Sequence, residues 1–208
     1  MTTRTTLRAA IPAVLATAAL LAGCGDDSGD HDTHATTASS TTAGATTGAT
    51  GAAAHNDADV AFAQEMIPHH RQAVEMAALV PERSTDPRVR DLAARIQQAQ
   101  DPEIATMTGW LQSWGAPVDG GGHAGMGHGD MSMPGMMTDE QMAQLRAARG
   151  AEFDRMWLTM MIAHHEGAVQ MSRTELAQGA DPAAKALAQQ IIDGQQAEID
   201  QMRRLLQG

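Results

Sequence analysis

The sequence predicts an all-α protein, a four-helix bundle made of two similar helical hairpins that follow a long tether. Three observations lead to this prediction. A shift of 95 residues aligns 66–113 with 161–208 without a gap, and eighteen of these 48 pairs are identical. Each copy contains two stretches with the apolar spacing of an amphipathic helix. No stretch of the sequence alternates apolar and polar residues as a half-buried strand would.

In each copy the second helix is predicted to begin at an Asp-Pro pair. Asp86-Pro87 and Asp181-Pro182 place an acidic N-cap before a proline in the first helical turn. Thr138 and Gln141 fit a capping box at the start of the third helix. The predicted helices span about 57–80, 87–113, 139–178 and 182–207. Two such hairpins bury their apolar stripes by packing together, which favours a four-helix bundle.

Residues 1–23 have the pattern of a lipoprotein signal peptide. Arg4 and Arg8 precede an apolar stretch, 9–22, that is too short to span a bilayer. The stretch ends in Leu-Ala-Gly-Cys, which resembles a bacterial lipobox and implies cleavage before Cys24 and lipidation of its thiol. We therefore expect an exported protein, anchored by acyl chains to the extracytoplasmic face of the cell membrane.

Residues 24–55 are predicted to be a flexible tether that precedes the bundle of 56–208. From Ala35 to Ala54 the chain contains only Ala, Thr, Ser and Gly, which cannot form a core. Such a tether reaches about 30 Å. Loss of Arg4 and Arg8 with the signal peptide changes the formal net charge from −11 to −13. This charge argues against nucleic acid and anionic headgroups as partners.

The first helix of each copy carries two adjacent histidines on its apolar face. At about 100° per residue, the first stripe is roughly 120° wide and contains Asp59, Phe62, Met66, His69, His70, Ala73 and Met76. The second contains Asp154, Trp157, Met161, His164, His165, Ala168 and Met171. An antiparallel hairpin brings Gln100 and Glu103 to the level of the first pair. Glu103 is expected either to accept a hydrogen bond from His69 or His70 or to share a cation with them.

These polar layers have two interpretations, satisfied polar groups in a core or a metal site. Imidazole suits zinc, copper, nickel and iron, whereas thioether sulfur favours Cu(I) or Ag(I). Methionines at helical spacing are more often core residues than ligands, and we interpret four of them mainly in that way: Met76, Met107, Met171 and Met202. The duplication favours a site, although it would copy core packing as well.

The loop between the hairpins, 115–137, combines many glycines with histidine and methionine. Exposed thioethers gain nothing by packing in such a loop, so a flexible segment that captures a soft metal is the favoured interpretation. A linker that merely tolerates methionine is the alternative. The candidate ligands are His123, Met126, His128, Met131, Met133, Met136 and Met137.

The paired Met-Ile-x-His-His motifs and the downstream Gln-x-x-Glu-Ile-x-x-Met motifs resemble the bacterial family called domain of unknown function 305, over about 55–208. The resemblance implies a ferritin-like four-helix fold, and some members are exported proteins that bind copper or silver through Met and His. It implies eight metal positions: Met66, His69, His70, Met76, Met161, His164, His165 and Met171. Pro68, which precedes the first histidine pair, is replaced by Ala163 in the second copy.

We therefore predict a lipid-anchored metal-binding protein that is not an enzyme. It would bind copper, Cu(I) above all, with silver as a further ion, for metal tolerance or for handover to an unidentified partner. The first alternative is a ferritin-like di-metal oxidase in which four acids join the histidines: Asp59, Glu103, Asp154 and Glu198. Against it, Met66 and Met161 stand where such bundles carry the Glu of a Glu-x-x-His pair. The second alternative is a metal-free structural or interaction lipoprotein of the envelope.

Overall fold

The structure, a computed structural model, describes residues 55–118 and 133–208, and these residues form five α-helices and no strand. The helices are α1 (Asp57–Arg83), α2 (Pro87–Trp114), α3 (Asp139–Ala147), α4 (Gly150–Gln178) and α5 (Pro182–Leu206). Helix α1 pairs with α2, α4 pairs with α5, and α1 packs on α4. The prediction of an all-α bundle of two hairpins is confirmed. None of the described helices is long and apolar enough to cross a bilayer.

Several predictions fall on parts of the chain outside the described residues. These are the signal peptide, Cys24 and the tether as far as residue 54, and the loop positions His123, Met126, His128 and Met131.

The helix starts follow the capping residues of the sequence. Asn56 caps α1 in a capping box with Asp59, and Thr138 caps α3 in a box with Gln141. At α2 and α5 an aspartate accepts the backbone N–H of the residues after the proline, through Asp86 and Asp181. The predicted capping box and both Asp-Pro starts are therefore confirmed.

The predicted third helix, 139–178, is wrong in one respect, because the structure divides it into α3 and α4. Ala148 and Arg149 are extended, with ψ of 157° and 156°, and Gly150 has a φ of 57°. Glycine adopts this left-handed conformation without steric cost, so the Arg-Gly step is where the chain can turn. The turn lets Leu145 of α3 and Phe153 of α4 be fully buried together.

The core consists of two apolar clusters, one toward each end of the bundle. We call them the first cluster, which contains Phe62, Met66, Met107 and Met171, and the second cluster, which contains Met76, Trp157, Met161 and Met202. Each includes methionines from both hairpins, so the clusters hold the two copies together. The indole of Trp157 is fully buried and donates a hydrogen bond to the carbonyl of Met76 at 3.0 Å.

Substitution Trp157→Phe is expected to lower the free energy of unfolding by about 2–4 kcal/mol. The variant leaves the Met76 carbonyl without its indole donor and leaves a cavity in the second cluster. Urea unfolding followed by circular dichroism measures the change. Trp110→Phe, in a half-buried position, is the control and should cost less; equal losses for the two variants would contradict the expectation.

Candidate metal centre

The four predicted histidines lie together where α1 crosses α4. The side chains of His69, His70, His164 and His165 are all fully buried, which confirms that both pairs face the interior. The rings of His69 and His164 are in contact, with centroids 3.7 Å apart. Because these two residues are equivalent in the repeat, their contact places the approximate two-fold axis of the duplication between the two rings.

The hydrogen-bond partners of the histidines assign their tautomers. The Nε2 atom of His70 lies 2.7 Å from Glu103 Oε2, and that of His165 lies 2.8 Å from Glu198 Oε2. A carboxylate can only accept, so both imidazoles donate through Nε2. In their neutral forms the lone pair is then on Nδ1, and both Nδ1 atoms are buried without a partner among the described residues. The predicted hydrogen bond to Glu103 is confirmed for His70.

The inner pair, His69 and His164, is less well satisfied. The Nε2 atom of His69 donates to the carbonyl oxygen of Pro134 at 3.0 Å, which again leaves the lone pair on Nδ1. Neither ring nitrogen of His164 has a partner among the described residues. Such buried, unpartnered nitrogens are costly, by roughly 1–3 kcal/mol each, unless something binds them. The layer therefore offers imidazole lone pairs to a ligand.

Burial keeps the inner imidazoles uncharged. Burial, with smaller contributions from the neighbouring His70 and His165, lowers the pKa of His69 to about 3, although the hydrogen bond to the Pro134 carbonyl acts in the opposite direction. Burial also holds the pKa of His164 well below its usual value, and the neighbouring His69 adds to this effect. A neutral imidazole is the form that binds a metal ion.

Thioether sulfur lies on both sides of the histidine layer. On α1, Met66 of the first cluster precedes the histidine pair by one turn, and Met76 of the second cluster follows it. On α4, Met161 and Met171 flank the other pair in the same way. The eight positions implied by the resemblance thus fall on one stretch of the α1–α4 contact. Among residues 55–118 and 133–208, no three His, Cys, Asp or Glu side chains are already gathered in a metal-site arrangement.

Two buried glutamines belong to the same level and were not among the predicted site residues. Gln100 and Gln195 each lie one turn before the glutamate that holds a histidine, and both are buried. Both amide atoms of Gln100 and the oxygen of Gln195 lack a hydrogen-bond partner within the described structure. Their identity in the two copies was the signal in the sequence.

A short strap, which we define as Met133–Met137, covers one side of the histidine layer. The Met136 N–H donates to the Met133 carbonyl at 3.1 Å. Pro134 and Gly135 (φ 78°) are the two central residues of this turn, as in a type II turn. Two hydrogen bonds fix its far end, because the amide of Gln72 donates to the Met137 carbonyl at 2.8 Å and accepts from the Met137 N–H at 2.7 Å. Of the predicted loop ligands, Met133 and Met136 are half-buried here and Met137 is buried.

The strap makes the two halves of the repeat unequal. Gln72, which holds Met137, is equivalent to Gly167 of the second copy. A Cβ atom at Gly167 would overlap the Pro134 carbonyl, and one at Gly135 would overlap the Ala163 carbonyl. The repeat position that binds the strap in one copy is therefore the position that makes room for it in the other.

The four acids that would join the histidines in the di-metal alternative occupy two different places. Glu103 and Glu198 contact the outer histidines, as described above. Asp59 and Asp154 lie ten residues before His69 and His164, roughly 15 Å along their helices, so the structure does not bring them to the imidazoles. Asp59 instead accepts backbone N–H groups of Ala180 and Asp181 at the α4–α5 turn. One oxygen of Asp154 is buried without a partner at the opposite end of the bundle.

Glu175 is a buried acid that the sequence analysis did not single out. Burial and, to a smaller extent, the nearby Asp59 carboxylate raise its pKa to about 8. It lines a cavity of about 250 Å³ together with Phe62, Pro134 and Met171. The equivalent residue in the first copy is Val80. The sequence signal for this buried acid is therefore a carboxyl group at a position that is apolar in the other copy.

Comparison with known proteins shows where this architecture occurs. The family model described as domain of unknown function (DUF305) matches residues 59–206. A DUF305 protein from Streptomyces coelicolor, designated as secreted, is 35% identical, with a TM-score of 0.64 over 72% of this chain and 91% of that one. A DUF305 fragment from Deinococcus radiodurans is also 35% identical, with a TM-score of 0.63 over 73% of this chain and 96% of that one.

A third similar structure is that of a protein named CopM in its Cu(I)-bound form. It is 31% identical, with a TM-score of 0.59 over 72% of this chain and 95% of that chain. CopM structures in Cu(II)-bound and Ag-bound forms are similar to this chain as well. No curated protein sequence matches the chain.

Substitution Gly167→Ala is expected to displace the strap, because the added methyl group would overlap the rigid Pro134 carbonyl. We expect a loss of about 1–3 kcal/mol in the free energy of unfolding and faster hydrogen exchange of the Met137 amide. Gly194→Ala is the matched control, since a Cβ atom there meets nothing within 4 Å, and it should gain up to about 1 kcal/mol from helix propensity. Unchanged exchange at Met137 in Gly167→Ala would contradict the description of the strap.

The raised pKa of Glu175 predicts a loss of stability toward alkaline pH. The folded chain binds this proton more tightly than the unfolded chain, whose glutamate has its usual pKa of about 4.5. The stabilisation is thus complete below about pH 4.5 and disappears as the pH rises through about 8. Glu175→Gln, which mimics the protonated group, should remove this part of the pH dependence in urea unfolding. The exposed Glu152→Gln should leave it in place.

Proposed function

The chain belongs to the DUF305 family, and from this premise we propose that it is a lipid-anchored extracytoplasmic protein that binds copper, Cu(I) in preference, and silver. One observation carries the proposal: four fully buried imidazoles, whose partners leave at least three Nδ1 lone pairs free, lie between two methionine clusters. Nitrogen and thioether donors in one buried layer match the preference of soft monovalent ions.

The comparisons support the choice of metal. CopM is known in Cu(I)-, Cu(II)- and Ag-bound forms, and this chain is 31–33% identical to it over 72% of its own length. The designation of the Streptomyces relative as a secreted protein supports an extracytoplasmic location. The lipobox at Leu21–Cys24 supports attachment to the membrane by acyl chains.

In this proposal the ion is bound by the Nδ1 atoms of His69, His70 and His165 and by one ring nitrogen of His164. The sulfur atoms of nearby methionines complete the set of ligands. The methionines are Met66, Met76, Met161 and Met171. Glu103 and Glu198 are positioning residues, because their hydrogen bonds to Nε2 fix the ring orientation and direct Nδ1 toward the interior. A carboxylate behind a ligating imidazole also makes that imidazole a stronger donor.

Access to the site would pass the strap. The methionines Met133 and Met136 are half-buried at its surface, next to a carbonyl that already contacts His69. An ion held by strap sulfur would therefore have only a short distance to move to the imidazoles. The preceding loop positions, His123, Met126, His128 and Met131, would extend this capture segment. In this role the protein binds and passes on an ion, for metal tolerance or handover, and catalyses no reaction.

Removal of the imidazoles should abolish Cu(I) binding. The variant with alanine at positions 69, 70, 164 and 165 is compared with the wild type by competition with a Cu(I)-specific chelator under reducing conditions. His55→Ala is the matched control, because this exposed histidine stacks on Trp114 away from the layer, and it should bind as the wild type does.

A second variant guards against a failure to fold. Glu103→Gln with Glu198→Gln keeps the size of both side chains and should lower Cu(I) affinity by about 10–100-fold, the usual effect of losing such a supporting group. If both sets of variants bind Cu(I) as tightly as the wild type, the buried layer is not the metal site. Ferrous-iron-dependent oxygen consumption by the wild type would instead favour the di-metal oxidase.

A further inference from the structure

The two ends of the bundle are equivalent in the repeat but differ in charge. We define the tether end as 55–60, 104–118 and 176–183, and the distal end as 81–88, 150–155 and 199–208. The three segments of the tether end are in contact. The side chain of Asn56 donates to the Gln178 carbonyl at 2.9 Å, and the ring of His55 stacks on that of Trp114 with centroids 4.8 Å apart. At the distal end, Asp86, Asp154 and Leu206 line one shared cavity.

The distal end is densely charged and the tether end is almost free of exposed charge. The distal end carries Glu82, Arg83, Asp86, Arg88, Glu152, Asp154, Arg155, Asp200, Arg203 and Arg204. Within its residue ranges the tether end carries only Asp57, Asp59 and Asp181, and the last two are buried. One further charge reaches it, the half-buried ammonium of Lys185, which donates to the Gly179 carbonyl at 3.1 Å. The equivalent positions show the difference directly: Asp200, Arg203 and Arg204 correspond to Ala105, Thr108 and Gly109. The repeat thus tolerates charge at these positions, and the tether end lacks it.

Two tryptophans occupy this sparsely charged surface. Trp110 and Trp114 stack with ring centroids 5.9 Å apart, and both are half-buried against the first cluster. Tryptophan has an apolar ring with one polar N–H, which suits a boundary between water and hydrocarbon. The third tryptophan of the chain, Trp157, is fully buried in the second cluster.

Gly109 adds a second, independent anomaly at the same place. It is exposed in the interior of α2, and a Cβ atom there would meet nothing within 4 Å. A glycine in this position costs about 1 kcal/mol of helix stability relative to alanine. Packing within the described chain does not require this glycine, as it does not require Gly194 of α5, so Gly109 adds an open and uncharged position to this surface.

We propose that the tether end docks on the lipid headgroup layer of the membrane to which the chain is attached, with Trp110 and Trp114 inserted at the interface. The inference rests on the proposed lipid attachment at Cys24. The tether enters the bundle at His55, which lies on Trp114, so the acyl anchor and this surface are joined through the same end. The chain is acidic as a whole, and its least charged end is the surface that can approach a headgroup layer with the least repulsion.

The test uses the mature lipidated chain in phosphatidylcholine vesicles whose acyl chains carry bromine, a short-range quencher of tryptophan fluorescence. Docking predicts that the fluorescence of Trp110 and Trp114 is quenched, while the buried Trp157 continues to emit. The variant Ala105→Asp, Thr108→Arg, Gly109→Arg places the residues of the second repeat on this surface and should lose the quenching. Gly194→Arg, at another open helical glycine, should keep it, and circular dichroism verifies folding of both.

Flotation with the vesicles separates the two proposals. If the wild type floats, Cys24→Ser does not, and no quenching occurs, attachment stands and docking is overturned. If the wild type does not float, attachment fails, and docking is then decided by quenching of the unanchored chain at high vesicle concentration. Equal quenching in the triple variant overturns docking. So does a concentration-dependent dimer in sedimentation that the triple variant abolishes, because the surface would then bind a second copy of the chain.

Discussion

The contact between the rings of His69 and His164, 3.7 Å apart, sets the requirements for the rest of the bundle. Two imidazoles can meet at a helix crossing only if the helices approach closely. The residues one turn after the inner histidines, Ala73 and Ala168, are small and fully buried. Excluding water from polar rings is unfavourable, so apolar packing on both sides must outweigh the cost. The two methionine-containing clusters, each built from both hairpins, supply it.

The polar partners of this layer come from outside the α1–α4 pair. Glu103 on α2 and Glu198 on α5 hold the outer rings, and a backbone carbonyl of the strap holds one inner ring. Each partner accepts a hydrogen bond from an Nε2–H group, and the Nδ1 atom of the same ring has no partner among the described residues. A fold selected for stability alone would satisfy or replace these nitrogens. Their presence in both copies is what a ligand-binding layer requires, and it carries a cost in stability.

Periodicity and duplication made the inward face and the partner of His70 predictable, because both follow from helix geometry and antiparallel pairing. The strap could not be derived in this way, since the path of a loop follows no repeat. Its turn is nevertheless encoded by Pro134 and Gly135. The space that it occupies beside α4 is encoded by Gly167, which stands where the first copy has Gln72. Glu175 lies at a position where the two copies differ, so the duplication does not indicate its role. The break before α4 depends on Gly150, and a single glycine within a helical pattern does not by itself end a helix.

The single strap has a consequence for how such proteins diversify. A tandem duplication creates two half-sites of one design, but only one covalent connection runs between the hairpins, and it can cross only one side of their shared axis. An internally duplicated bundle of this kind must therefore lose its symmetry at its centre, however alike its halves remain. Two separate hairpin chains, associating without a connection, would have kept their half-sites interchangeable. Joining them in one chain gives the two sides different surroundings, because the strap covers only one of them among the described residues.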